Sequence, residues 1–326
     1  MAVQKINIVQ ALNQALKQEM ARDRNVILLG EDIGRNGGVF RVTDGLQKEF
    51  GEDRVIDTPL AELGIISAAI GMAVVGIKPV VEIEFGGFMY SGLDHLIDHA
   101  ARIRNRSRGR FTCPMVVRTP YSAGIRALEH HSESTETLYI HIPGLKVVVP
   151  SSPYEAKGLL TASIRDNDPV IFMEPSRVYR AIKEDVPEEQ YIIPLGKAKI
   201  VHEGSDLTLI GFGAMMKTIL EAHEQLKAKY SMEIIDLRTL SPLDEETIIS
   251  SVKKTGRCVV VHEAPRTLGI GAEIIALIND KAMLNLQAPV ERVTGFDIPV
   301  PFLKMENYYV PDVRKIVTGI EKVMSF

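Results

Sequence analysis

Short apolar runs alternate with helical patterns along most of this chain, and that order leaves few folds open. The runs are VILLG (26–30), KPVVEIEF (78–85), MVVRTP (115–120), LKVVVP (145–150) and PVIFME (169–174). Between them, helical spacing is predicted after Pro59, over Leu93 to Arg104 and from Tyr154 to Ile164. Another helix is predicted near the N-terminus, on Ile8, Val9, Leu12, Leu16 and Met20. Strands joined by helical crossovers form a mostly parallel sheet covered on both faces.

The pattern lapses at AIKEDVPEEQYIIPLGKAKI (181–200), which holds acids, Pro187 and Pro194 but no helical period. It is read as a linker over 186–200, separating a domain of residues 1–185 from one of 201–326. Beyond it the alternation resumes. DLTLIGFG (206–213), MEIIDLRTL (232–240) and RCVVVHE (257–263) are the apolar runs, with helices over Ala214 to Tyr230, Asp244 to Thr255 and Gly269 to Lys281. At 326 residues each domain has enough chain to bury its own core. The expected class is α/β, two domains, each a mostly parallel sheet covered by helices.

Charged residues make up 25% and apolar residues 45%, the proportions of a soluble globular protein. A net charge of −4 argues against a nucleic-acid partner, which calls for a basic footprint. Cys113 and Cys258 lie far apart and form no disulfide framework, the usage of a reducing compartment. No run approaches the roughly 18 apolar residues of a membrane helix, and the N-terminus has no signal-peptide core. A cytoplasmic protein without a membrane partner is the expectation.

One carboxylate stands out in RVIDTPLAELGIISAAIGMAVVGI (54–77). Thr58 is placed to cap a helix with Pro59 at its first position, and the residues after Glu62 are apolar or small on every side. That pattern predicts a buried helix with Glu62 at its mouth. A capping box would need the acid where Ala61 stands. Glu62 is therefore either a response to the helix dipole or a functional acid, and the pattern alone leaves both open.

Other constellations are weaker. GEDIGRNGG (30–38) has neither the Lys-Ser/Thr ending of a P-loop nor GxGxxG spacing, and Met216 stands where a third glycine would follow Gly211 and Gly213. His130 and His131, in LEHHSES, occupy a polar loop between Gly124 and Pro143, where such a pair taken alone is more often surface than catalytic. Arginines 102, 104, 106, 108 and 110 are read as a basic helix end meeting acids of a partner or plain solvent. No HExxH motif or cysteine cluster supports a metal site.

DTPLAELG, with GEDIGRNGGVFRVTDGL (30–46) before it and PGLKVVVPSSPYEAKGLL (143–160) after it, resembles the beta subunit of the thiamin-diphosphate-dependent decarboxylase of 2-oxo-acid dehydrogenase complexes. The likeness runs from Ile8 to Phe326. It implies a transketolase-like pyrimidine-binding domain followed by a transketolase C-terminal-like domain. It also implies that Glu62 hydrogen-bonds the aminopyrimidine ring of thiamin diphosphate and favours its imino tautomer. Phe88 would stack on that ring with Leu60 beside it, and His131 would handle protons as the acyl group passes to a lipoyl disulfide. Glu84 is expected near the cofactor, where relatives more often carry a neutral residue, and a second carboxylate there would raise one or both pKa values.

The superfamily's GDG and Asn-pair magnesium motif is missing from the sequence. The resemblance therefore implies an alpha subunit that holds magnesium and diphosphate, in an α2β2 heterotetramer. A dihydrolipoyl acyltransferase would dock near the chain end, with Asp297 and the Phe326 carboxylate as candidate contacts. A structural potassium ion is expected near Met115, Ser163 and Asp166. VVVHEAPRTLG (259–269) and the segment 295–312 lean toward branched-chain substrates, with pyruvate close behind. Acetoin cleavage by a related heterotetramer is the alternative, and a nicotinamide-dependent oxidoreductase is more remote.

Overall fold

The apolar runs pair into two main sheets in the computed structural model, which describes residues 2–326. In chain order the first part holds β1 (Val3–Ile6), α1 (Ile8–Arg22), β2 (Val26–Gly30), α2 (Leu46–Phe50), β3 (Val55–Asp57), α3 (Glu62–Val74) and β4 (Lys78–Glu82). It continues through α4 (Leu93–Asp98), α5 (Ile103–Arg106), β5 (Val116–Tyr121), α6 (Glu136–Ile140), β6 (Lys146–Val148), α7 (Pro153–Arg165) and β7 (Val170–Pro175). Next, β8 (Glu184–Pro187) turns back to pair antiparallel with β1. The second part holds β9 (Lys199–His202), β10 (Leu207–Gly211), α8 (Met215–Leu226), β11 (Met232–Asp236), β12 (Thr239–Ser241) and α9 (Glu245–Thr255). It ends with β13 (Cys258–Val261), α10 (Ile270–Ala282), β14 (Glu291–Val293), α11 (Glu306–Tyr309) and α12 (Val313–Met324).

The larger sheet has the order β12-β6-β7-β5-β4-β2-β3, parallel except at β12, and the second has β14-β13-β10-β11-β9, parallel except at β9. Alternate residues of the larger sheet feed two cores. Val26, Leu28, Val116 and Phe172 pack under Leu12 and Leu16 of α1 and Leu159 and Leu160 of α7. Leu29, Val81, Val117 and Ile171 face Ile66 and Ile70 of α3, and that core continues to Ile248 of α9 and Ile274 of α10. The two domains thus share one apolar layer. A third core lies between the second sheet and α8 and α12, around Ile219 and Ile320. Each such buried side chain contributes roughly 1.5–3 kcal/mol.

Local chemistry fixes the helix starts. Asn7 accepts from the Gln10 N–H and Gln10 reaches back to Asn7, a capping box that starts α1 where its apolar period begins. Ser152 and Asp244 cap α7 and α9. The run MEIIDLRTL, read as one strand, is two: Arg238 takes a positive φ of 58°, β11 ends, and β12 crosses to pair with β6 of the other sheet. The helix expected over Leu93 to Arg104 is broken at His99, and the Arg106 guanidinium caps the Asp98 carbonyl. His95 and His99 keep metal-like spacing but stack on each other, with their Nδ1 atoms turned to Ser67 and Arg106. Between β8 and β9 the stretch without regular structure is 188–198, shorter than the linker expected over 186–200. Among the described residues no helix is long and apolar enough to cross a membrane.

Candidate active site

Three carboxylates collect where β2, β3 and β4 end. Gly30 lies opposite both Asp57 and Glu82, so the chain leaves these strands at one level. Glu31 follows β2, Glu62 begins α3 after β3, and Glu84 stands two residues beyond β4. The carboxyl edge of a parallel sheet is where such folds bind ligands. Burial lifts the Glu84 pKa to about 7, and the charges of Glu31, Asp32, Glu82 and Glu62 push the same way. Glu31 is raised too, by burial first and then by Glu62 and Asp32. The lone acid of the sequence is one member of a group.

A raised carboxyl pKa costs stability as pH climbs, because the unfolded chain ionises first. Between about pH 4.5 and 7, folded Glu84 keeps its proton while the unfolded residue loses it, so the folded state weakens across that window. Glu84→Gln should therefore gain melting temperature relative to the parent as pH rises from 5 to 8. Parallel melting curves across that range would contradict the placement of Glu84 among these charges.

The helix that carries Glu62 differs from expectation. Pro59 keeps Thr58 extended, and the Thr58 N–H continues the strand pairing by donating to Gly30 O at 3.0 Å. The helix starts three residues later than Thr58 capping would give, with Ala61 at the cap position and no side-chain cap. Glu62 is its first residue, closest to the positive end of the dipole. Nor is α3 buried on every side. Leu63, Gly64, Ala68, Gly71 and Val75 are exposed along one face, with Leu60 before them 73% exposed. Glu62 itself is half-buried, and the Thr58 hydroxyl, four residues earlier in the chain, is buried without a hydrogen-bond partner.

His131 meets aromatic rings next to Glu84. Its ring centroid lies 4.3 Å from that of Phe85 and 5.2 Å from that of Phe88. Its Nδ1 is 2.9 Å from the Glu129 carbonyl, which can only accept, so Nδ1 carries the proton and Nε2 is the free acceptor of the neutral ring. Gly87 makes the approach feasible. A Cβ there would stand 2.6 Å from the His130 carbonyl oxygen, and its N–H donates to that oxygen at 3.2 Å. His130 points elsewhere, toward Glu133 and the ring of Tyr90. Phe88 and His131 are brought together, and Glu84 is brought near Glu62; Leu60 adjoins Glu62 along the chain.

Beneath this edge lies a buried triad that the sequence analysis did not single out. Arg118 donates to Glu82 and to Glu174, each at 2.7 Å, and the Tyr179 hydroxyl donates to Glu174 at 2.6 Å. The residues expected to hold potassium are otherwise engaged. Lys146 sits 2.6 Å from Asp166, Asp168 N–H takes its other oxygen, and the Ser163 and Met115 carbonyls accept from Asp166 and Val170 N–H groups. An ammonium occupies the acid that a potassium ion would need, so these residues do not fit that ion as they stand. At the far end, Asp297 is held by the N–H and hydroxyl of Thr267, while Phe326 is exposed after α12. Of the basic run, Arg104 pairs with Asp168 at 2.6 Å.

Residues 4–181 match the family described as transketolase, pyrimidine binding domain, and residues 196–316 match transketolase, C-terminal domain. The sequence is 54% identical over 319 residues to a pyruvate dehydrogenase E1 component subunit beta from Acholeplasma laidlawii, covering 98% of each chain. It is 50% identical over 322 residues to the protein of that name from Bacillus subtilis, covering 98% of this chain and 99% of the other. Among solved structures, a split gene transketolase, described as an inactive beta4 tetramer, superposes with a TM-score of 0.81 at 19% identity over 99% of both chains, a likeness of fold.

Proposed function

This chain belongs to the transketolase-like family of 2-oxo-acid dehydrogenase beta subunits, and we propose that it supplies the acid–base half of a thiamin-diphosphate site completed by an alpha subunit. Two observations carry the reading: Glu62 and Glu84 act on each other at the carboxyl edge of the larger sheet, and the His131 ring packs on Phe85 and Phe88 in the segment that follows Glu84 along the chain. Thiamin diphosphate fits that edge, which offers an uncapped helix start, an aromatic ring and a buried hydroxyl lacking a partner. The bound cofactor would supply the electron sink that lets a 2-oxo acid lose carbon dioxide.

The chain's own residues divide the remaining work. Glu62 would share a proton with a pyrimidine ring nitrogen, an exchange favoured where solvent is excluded. Phe88 would pack against the ring and Leu60 would border it. His131, through Nε2, would move a proton as the acyl group passes to a lipoyl disulfide. Magnesium and diphosphate would be held by the alpha subunit, since the GDG and Asn-pair motif is missing here. The exposed apolar face of α3 supports such a partner in an α2β2 assembly, because covering it would also shelter Glu62. Docking of a dihydrolipoyl acyltransferase near Asp297 and Phe326, and a cytoplasmic location, go with this reading.

Pyruvate is the proposed substrate, on the strength of the relatives' names, ahead of the branched-chain acids toward which 259–269 and 295–312 lean. The test is to purify the chain alone and with its alpha partner, then measure magnesium-dependent thiamin diphosphate binding and turnover of pyruvate, branched-chain 2-oxo acids and acetoin. Binding should need both chains, with the highest kcat/KM for pyruvate. Tight binding by the lone chain would reject the split site. A branched-chain optimum would replace the substrate, and cleavage of acetoin alone would replace the reaction.

A further inference from the structure

Two buried carboxylates of the second domain reach across to the loop that carries His131. Glu263 follows β13 and accepts from the Ala123 N–H at 3.1 Å, while its other oxygen receives the Arg177 guanidinium at 2.9 Å. Glu306, the first residue of α11, accepts at two points of the same loop. One oxygen takes the Gly124 N–H and the other takes the Ser132 hydroxyl, the latter at 3.1 Å. Glu263 and Glu306 are only 3% and 2% exposed.

The loop is built to be held this way. Gly124 takes a φ of +127°, and a Cβ there would stand 2.9 Å from Arg177 side-chain carbons, so its N–H meets Glu306 only because residue 124 lacks a side chain. Ser132 directly follows His131, and Gly124 lies on the opposite leg. The loop also closes on itself, with Ser122 N–H donating to Glu133 O at 3.3 Å. A carboxylate accepts through both oxygens, so one side chain can bind both legs. Glutamine has one acceptor and an amide NH2 that would face a donor. Charge-assisted bonds in a dry setting are roughly twice as strong as neutral ones, which makes the fastening stiff.

We propose that Glu306 is a positioning residue for His131: by holding Gly124 and Ser132 together from the second domain, it fixes the loop that aims the imidazole at the catalytic edge. The inference rests on the acyl-transfer role proposed for His131. In the assembled alpha–beta enzyme two rates are read, pyruvate decarboxylation coupled to ferricyanide and acyl transfer to a lipoylated domain. Glu306→Gln and Ser132→Ala should slow acyl transfer by about 10- to 100-fold, the cost of misplacing a catalytic group by an ångström, and leave the ferricyanide rate within about twofold. Because Glu306 acts through His131, the double variant His131→Ala with Glu306→Gln should be no slower than His131→Ala alone. Amide hydrogen exchange over 122–134 should quicken in both single variants.

An equal loss from Glu306→Gln with and without His131 would overturn the proposal, as would unchanged exchange in the loop. Parental acyl transfer by His131→Ala would instead sink the role given to His131, and the inference with it. If Glu306→Gln fails to assemble, Ser132→Ala, which loses only a hydroxyl, decides by the same readings.

Discussion

Glu62→Gln, assembled with the alpha subunit, is expected to bind thiamin diphosphate and lose 2-oxo-acid decarboxylation by about 10²- to 10³-fold, the range of a removed general acid–base group. The carboxamide keeps the shape and one acceptor oxygen but cannot exchange a proton. Structural consequences should be small. Glu62 is half-buried at an uncapped helix start, where neutralising an acid forfeits about 0.3–1 kcal/mol of dipole interaction. That stability change corresponds to about fivefold at most, so a loss of about 10²-fold or more is chemical. Rates of decarboxylation and cofactor affinity, measured on matched assemblies, separate the two. A variant that assembles, binds and turns over at the parental rate would leave Glu62 as a helix-dipole residue.

Legibility differed from residue to residue for physical reasons. Periodicity exposed α1, which buries one stripe and starts in a capping box, while α7, buried along most of its length, is marked by the Ser152 cap and Pro153 at its start. It misjudged α3, because an exposed face of Leu, Gly, Ala and Val has the same composition as a core face. It missed β12 because a three-residue strand is too short to show a period, although Asp236 and Arg238 interrupt the apolar run at the corner where Arg238 takes a positive φ. The family motif singled out His131 and its loop did not, since two adjacent histidines in a polar stretch look alike until the fold turns one to Phe85 and the other to Tyr90 and Glu133. Glu263 and Glu306 act on residues more than a hundred positions away and left no local signal. A signal did exist for the triad. An arginine inside the apolar run MVVRTP needs anions at its own level, and KPVVEIEF holds one at Glu82 while PVIFME ends with one at Glu174.

That triad sets the largest expected stability effect. Arg118 is 2% exposed, lies directly opposite Glu82 in the β4–β5 register, and is the cation found between Glu82 and Glu174. Arg118→Met keeps much of the volume but leaves two carboxylates facing each other in the core. Breaking a buried pair from one side costs about 3–5 kcal/mol, a large part of the 5–15 kcal/mol that holds a typical domain. Burial already raises the Glu174 pKa in the parent, and losing the guanidinium beside it removes the main influence that holds it down. Stability is then lost as pH rises through the carboxylate range, and the variant's deficit should be smaller at pH 5 than at pH 8. Adding Glu82→Gln and Glu174→Gln removes both charges and should recover most of the loss and its pH dependence, since what Arg118 offsets is charge. Thermal unfolding of parent, single and triple variants at both pH values reads this out. A single variant as stable as the parent at pH 8 would mean that water or backbone donors already hold these acids. The effect bears on function because Glu82 ends β4 two residues before Glu84, and β5 leads straight into the His131 loop. Loosening that layer would blur the geometry on which both proposed proton-handling residues depend.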